Sequence, residues 1–233
     1  MMSRSNEGRG PLYRVYINRL RRSLDPDSVP KHVAMMIDGN RRWARQLGFD
    51  SPADGHRAGA AKMREFLEWC DEVGVQVVSL YLLSNDNVTK RDSREIADLI
   101  EIIAELADEL SRYRDWKVQH VGSTAGLPDG LGAVLDAAQE RTKHNPGMHV
   151  NLAVGYGGRR EIVDAVRSII VAYDQEGGSL EELAASLTPE TIGEHLYTGG
   201  QPDPDLVIRT SGEQRLSDFL LWQSAHSEFY FVE

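Results

Sequence analysis

One cysteine in 233 residues, Cys70, excludes an intramolecular disulfide framework and fits a reducing compartment. Long apolar runs are missing as well. The longest, Val33 to Ile37 and Ile169 to Tyr173, fall far short of the roughly 20 residues that a membrane-spanning helix needs. The N-terminus has no apolar h-region and so does not read as a secretory signal, and a cytoplasmic protein is expected. Cations are in deficit: 26 Lys plus Arg stand against 36 Asp plus Glu, a net charge of −10. A broad nucleic-acid-binding surface needs the opposite balance. His120, His144, His149, His195 and His226 show no ligand spacing, and neither CxxC nor HExxH occurs, which argues against a zinc site. No G-x-S-x-G elbow is present either. What remains is an ordinary globular composition, 41% hydrophobic and 27% charged, long enough to bury a sizeable core.

Residues 1–29 read as a polar tail followed by a basic amphipathic helix. Leu12, Tyr13, Tyr16, Ile17, Leu20 and Leu24 share one side of that helix, with Arg14, Asn18, Arg21 and Arg22 largely on the other. The first 24 residues carry six Arg and one Glu. The expectation is that this helix docks its apolar face on its own domain; the alternative is a helix lying on a membrane surface. Residues 30–233 then alternate. HVAMMI, VQVVSLYLL, WKVQHV, MHVNLAV, DLVIR, DFLLWQ and EFYFV read as strands. Helical periodicity covers Arg57 to Val73, Arg94 to Leu110, Pro128 to Thr142 and the stretch after GYGG. Ser179 with Glu182 makes a capping box, and Thr188 with Pro189 opens another helix. Strand and helix in alternation predict one α/β domain with a central, mainly parallel sheet flanked by helices.

Ligands of such sheets bind beyond the carboxyl ends of the strands, and the unusual residues fall there. Asp38-Gly39-Asn40-Arg41-Arg42-Trp43 follows HVAMMI. Free amides and two guanidinium groups at a helix start suit a diphosphate. A carboxylate beside phosphate calls for a bridging Mg²⁺, and a simple Asp-Gly turn is the plain alternative. Ser84-Asn85-Asp86-Asn87, with Arg91 nearby, follows VQVVSLYLL and reads as a turn or as hydrogen-bonding groups for a reacting molecule. Arg209, Arg215, Leu216 and Ser217 lie in a second candidate anion site after DLVIR. Glu228 is either an edge-strand surface residue or a second metal ligand. The glycines of GYGGRRE read as tight-turn and close-packing residues, because the spacing is not that of a dinucleotide fingerprint. Cys70, on a helix face with Met63, Phe66 and Leu67, reads as a buried small hydrophobe.

HVAMMIDGNRRWA, SLYLLSNDN with Arg91 and Glu95, NLAVGYGGRREI and LVIRTSGEQRLSDFLLWQSAHSEFYF together resemble the cis-prenyltransferases, the family typified by undecaprenyl diphosphate synthase. The resemblance covers roughly residues 31–232. It implies a homodimeric α/β domain with an apolar tunnel for a growing isoprenoid chain, and Mg²⁺ as cofactor. Asp38 is then catalytic through Mg²⁺ on an allylic diphosphate. Gly39, Asn40, Arg41 and Arg42 cradle that group, adjoined by Trp43 and His56. Asn87 assists deprotonation of isopentenyl diphosphate. Ser84, Asn85, Asp86 and Arg91 help to position the substrates. Arg209, Arg215, Leu216 and Ser217 hold isopentenyl diphosphate, and Glu228 joins Asp38 on the metal. A lipid product implies transient contact with the inner face of the cell membrane.

Four departures from the family pattern stand out. GFDSPADGH lacks an Arg that usually contacts a diphosphate; Val88 and Asp86 replace the usual Trp and Glu; Gln214 replaces a His; and the sequence ends at Glu233, where relatives usually continue with a Trp-Pro segment and a last helix. Leu82 and Leu83 stand where long-chain members carry Ala and then Phe, and bulk at a tunnel wall stops elongation early. The sequence therefore looks most like the short-chain (2Z,6E)-farnesyl diphosphate synthases, which condense isopentenyl diphosphate with geranyl diphosphate. The alternatives are a medium- or long-chain polyprenyl diphosphate synthase, a non-catalytic partner subunit of such an enzyme, and an unrelated phosphate-ester hydrolase.

Overall fold

The computed structural model describes residues 11–49, 51–86, 93–128 and 130–232. Its elements run α1 (Pro11–Ser23), β1 (His32–Met36), α2 (Asn40–Gln46), α3 (Pro52–Val73), β2 (Val77–Ser84), α4 (Ser93–Tyr113), β3 (Lys117–Val121), α5 (Leu131–Thr142), β4 (His149–Tyr156), α6 (Gly158–Gln175), α7 (Leu180–Ser186), α8 (Pro189–Glu194), β5 (Leu206–Arg209) and β6 (Glu228–Phe231). All strand pairs are parallel, in the order β3-β4-β2-β1-β5-β6. The chain leaves β1 toward β2 and later returns to β5 on the other side of β1. A crevice therefore opens at the carboxyl ends of β1 and β5, where the winding reverses.

Strand alternation sorts the core into two layers. Val33 and Met35 of β1, Val78 and Leu80 of β2, and Val150, Leu152 and Val154 of β4 meet α3, α4 and α5 through Met63, Leu67, Leu99, Ile103, Leu106 and Leu135. Ala34, Met36, Ala153 and Val207 face the other way, against Phe219 and Leu220. The register of β2 against β4 shifts around Leu83. In a regular strand, neighbours point to opposite faces; at this irregularity both Leu82 and Leu83 turn toward the α3/α4 side.

Three readings of the sequence need correction. DFLLWQ is not a strand. Ser217, Asp218 and Leu220 have positive φ values of 48°, 66° and 44°, and the apolar side chains Phe219 and Leu220 are fully buried in a turn. Buried apolar runs look alike in strands and in tightly wound loops. The helix beginning near Arg57 starts instead at Pro52, because the Ser51 side chain accepts from the Ala53 amide and Pro52 fits the first helical position. The apolar stripe at α1 is mostly open: among its described side chains Tyr13, Tyr16, Leu20 and Leu24 are exposed and Ile17 is half-buried, and the Arg21–Glu72 ion pair ties the helix to α3. Cys70 is buried as expected. Among the described residues no helix is long and apolar enough to cross a membrane.

Candidate active site

Beyond β1 the chain turns sharply. Gly39 takes φ 93°, a left-handed conformation that side chains resist. Its amide donates to Asp38 Oδ1 at 2.7 Å, and the Asp38 amide donates to Thr210 Oγ1 at 3.2 Å, joining the β1 and β5 ends. Asn40 then opens α2, and α3 crosses it closely. A Cβ at Gly55 would lie 2.3 Å from the Asn40 carbonyl oxygen, and one at Gly59 2.8 Å from its side-chain nitrogen. The small residues of GHRAG thus let two helices meet, a packing role the sequence reading did not assign.

Arg209, at the end of β5, is 3% exposed. Its Nε donates to Ser211 Oγ at 3.0 Å. Its Nη1 donates to the Arg215 carbonyl and to Ser217 Oγ at 2.9 Å. Its Nη2 donates to Asp38 Oδ2 at 2.6 Å and to Glu213 Oε2 at 2.7 Å. Burial pushes the Asp38 carboxyl up, but the bonds from Arg209 and the Gly39 amide outweigh it and hold Asp38 below the usual carboxylate range. Asp38 is therefore ionised at neutral pH and partly open to solvent.

These groups rim a cavity of about 940 Å³. Its mouth carries Asp38, Gly39, Asn40, Arg41, Arg42, Arg209, Arg215 and Ser217, with Ser84, Asn85 and Asp86 from the end of β2 and His56 from α3. His56 and Arg41 both approach Glu95, at 3.5 and 3.6 Å. Its depth is apolar, with Met63, Leu82, Leu83, Leu99, Ile102, Ile103 and Leu106 on the walls. A cationic mouth over an apolar pocket suits an amphiphile with an anionic head.

The structure thus gathers Asp38, Gly39, Asn40, Arg41, Arg42, His56, Ser84, Asn85, Asp86, Arg209, Arg215 and Ser217 at one opening. Three expected residues lie elsewhere. Trp43 points away from the cavity, 43% exposed and stacked on Phe49 at 5.7 Å. Leu216 packs on the Ala34/Phe219 layer; only its neighbours on the turn face the opening. Glu228 pairs with Leu206 at the amino end of β5, whereas Arg209 pairs with Phe231. Three residues of strand, about 10 Å, separate Glu228 from the end where Asp38 sits. One chain therefore does not bring Asp38 and Glu228 onto a single ion. Asn87 and Arg91 lie outside the described residues.

Several cavity residues escaped the sequence reading. Glu213 contacts Arg209, Arg215 and Arg42. Arg159, at the start of α6, and Asp218 line the opening, and the Arg159 amide donates to Asp218 Oδ1 at 3.1 Å. Tyr81 stacks on Phe219 at 4.6 Å and donates to the Ser217 carbonyl at 3.2 Å. Buried Tyr156 donates to Glu161 and accepts from the Leu220 amide, bracing the strained turn. The available signal was position: Arg159 comes three residues after the end of β4, much as Asp38 comes two after the end of β1 and Arg209 closes β5.

No group of three or more His, Cys, Asp or Glu side chains among the described residues is arranged to hold a metal unaided. A half-exposed ionised Asp38 does fit Mg²⁺ that brings its own phosphate oxygens, since that ion commonly binds one or two carboxylates and keeps its remaining places for phosphate and water.

An open parallel sheet with an arginine-rich rim at its switch point, over a deep apolar pocket, is the architecture of a protein suited to amphiphiles with anionic heads. The chain belongs to the undecaprenyl diphosphate synthase family of prenyltransferases, whose sequence profile matches residues 36–233. It is 56% identical over 223 residues to a (2Z,6E)-farnesyl diphosphate synthase of Thermobifida fusca, covering 96% of this chain and 87% of that one. It is 52% identical over 222 residues to isoprenyl transferase 1 of Streptomyces avermitilis, covering 95% and 86%. The crystal structure of lavandulyl diphosphate synthase from Lavandula x intermedia, in complex with dimethylallyl diphosphate, superposes with a TM-score of 0.80 at 33% identity over 88% of each chain.

Proposed function

We propose that this protein condenses isopentenyl diphosphate with geranyl diphosphate to give (2Z,6E)-farnesyl diphosphate, with Mg²⁺ as cofactor. The observation that carries this reading is the cavity: charged at the mouth, apolar in depth, and narrowed by two adjacent leucines that an irregular strand turns to the same side. In the reaction, the allylic C–O bond breaks and pyrophosphate leaves. A carbon–carbon bond forms to isopentenyl diphosphate, which then loses a proton. Arg41 and Arg42 stabilise the negative charge that grows on the leaving group, and charge stabilisation of this kind is often the largest single catalytic contribution. Asp38 would hold Mg²⁺, and that ion would supply further neutralisation of the charge. Arg215 and Ser217 hold the second diphosphate close, converting an encounter into a proximity-driven step. His56 and Asn40 orient the first.

Leu82 and Leu83 set the product length. Leu82→Ala opens the wall, and products are expected to extend beyond fifteen carbons. The assay is incubation with labelled isopentenyl diphosphate and dimethylallyl, geranyl or farnesyl diphosphate, with the dephosphorylated products sized. A single fifteen-carbon product from the wild type supports the short-chain reading. A ladder of longer products assigns a medium- or long-chain synthase, and no incorporation by folded protein assigns the partner-subunit role.

The assembly is proposed to be a homodimer in the cytoplasm. The exposed stripe of α1, Tyr13, Tyr16, Leu20 and Leu24, flanked by arginines, supports transient contact with an anionic lipid surface, where the product partitions.

A further inference from the structure

Glu213 occupies an unusual place. Its Oε2 lies 2.7 Å from Arg209 Nη2 and 2.5 Å from Arg215 Nη2, and its Oε1 lies 3.8 Å from Arg42 Nη2. Three guanidinium groups, drawn from α2, the end of β5 and the following loop, converge on one carboxylate at the cavity mouth. Such convergence is what an anionic ligand normally commands.

The donor inventory of Arg209 sharpens the point. A guanidinium has five N–H donors. Arg209 is bonded to Ser211 Oγ, the Arg215 carbonyl, Ser217 Oγ, Asp38 Oδ2 and Glu213 Oε2, so its capacity is filled by the protein itself. A diphosphate gains a bond from Arg209 only by displacing one of these acceptors. The Ser211, Ser217 and carbonyl partners are parts of the loop scaffold. Asp38 is fixed through Oδ1 to the Gly39 amide. Glu213 is the movable acceptor. Its side chain is 36% exposed, while its backbone is anchored: the Glu213 amide donates to Ser211 Oγ at 3.3 Å, and the Gly212 amide to the Val232 carbonyl at 2.8 Å. A rotation of the side chain alone frees the position.

We infer that the Glu213 carboxylate is a resident stand-in for a substrate phosphate, holding Arg42, Arg209 and Arg215 in their binding arrangement and leaving when a diphosphate enters. This rests on the proposed use of the site for diphosphates and assigns Glu213 as a positioning residue within it. The stand-in keeps the cationic rim from collapsing or splaying while the site is empty. It also competes with the ligand, lowering affinity for diphosphates and for the pyrophosphate released at each turnover. Return of the carboxylate then assists release of that product.

The test is titration calorimetry of the full-length protein with inorganic pyrophosphate, without and with Mg²⁺, for wild type, Glu213→Gln and Glu213→Asp. Relief from a charged competitor that engages strong charge-assisted bonds is expected to tighten pyrophosphate binding about tenfold in Glu213→Gln. Glu213→Asp, whose shorter side chain reaches the arginines less well, is expected to fall between the two. In turnover, Glu213→Gln is expected to lower KM and kcat together and to be more strongly inhibited by pyrophosphate. Its melting temperature is expected to drop without ligand and to recover in saturating pyrophosphate. Equal or weaker binding by both variants, with normal binding by wild type, overturns the stand-in role and leaves Glu213 as a fixed support of the arginines. Failure of wild type to bind pyrophosphate under either condition overturns the diphosphate reading of the site, and the stand-in role with it.

Discussion

Asp38→Asn is expected to lower kcat by about a hundredfold to a thousandfold, the range seen when one preorganised electrostatic group is removed from a site of charge separation. The substitution keeps the size but only one of the two acceptors, so either Arg209 Nη2 or the Gly39 amide loses its bond; that cost is small beside the loss of the charge. Two carboxylates, Asp38 and Glu213, sit beside the same Nη2 atom, but their variants diverge. Loss of the Asp38 charge removes the carboxylate proposed to share Mg²⁺ with the diphosphate. Loss of the Glu213 charge removes a competitor. Steady-state incorporation of labelled isopentenyl diphosphate across a Mg²⁺ titration separates them: Asp38→Asn is not rescued by excess metal. A variant with more than a tenth of wild-type kcat would remove Asp38 from the chemistry.

Arg209→Met carries the largest expected effect on stability. The side chain is 3% exposed and links the β1 turn, the β5 end and the Ser217 turn. Its removal leaves Asp38 and Glu213 side by side without their shared cation. Breaking a fully buried ion pair costs roughly 3–5 kcal/mol. Both acids keep substantial solvent contact, so a loss of about 2–3 kcal/mol is expected here. Urea denaturation measures it, and pyrophosphate binding should vanish in the same variant. A loss under about 0.5 kcal/mol, the scale of an ordinary surface substitution, would show that Arg209 does not brace the loops.

The sequence made the architecture legible because its signals are local. The buried run HVAMMI and the unbroken periodicity of α4 each specify one element, and alternation of such elements implies a parallel sheet. The three residue clusters at strand ends came together in space because in this topology the carboxyl ends of all strands face the same way. What the sequence hid depends on three-dimensional register. Glu228 and Phe231 differ by three positions in a row of similar residues, yet that step decides which end of the sheet each occupies. Trp43 follows Arg42 directly, but one residue on a helix turns a side chain by about 100°, enough to carry it out of the cavity. Phe219 and Leu220 read as strand because burial, not backbone conformation, governs their apolarity. The tight crossing of α2 and α3 at Asn40 depends on the missing side chains of Gly55 and Gly59, and a missing group leaves little periodic trace. Glu213 lies within the Arg209–Ser217 cluster, but the sequence assigns it no role, since three cations converge on it only after folding.

The buried Cys70 has an experimental consequence. It lies on α3 against the sheet, 5% exposed, and burial with the nearby Asp71 charge pushes its thiol up to about 12. Thiolate is the reactive form, so alkylating reagents gain access only when α3 lifts from the sheet. The single thiol is thus an intrinsic clock: its rate of modification, followed by mass spectrometry, counts openings of the core, and new cysteines placed at the cavity rim can carry labels without first removing a background site.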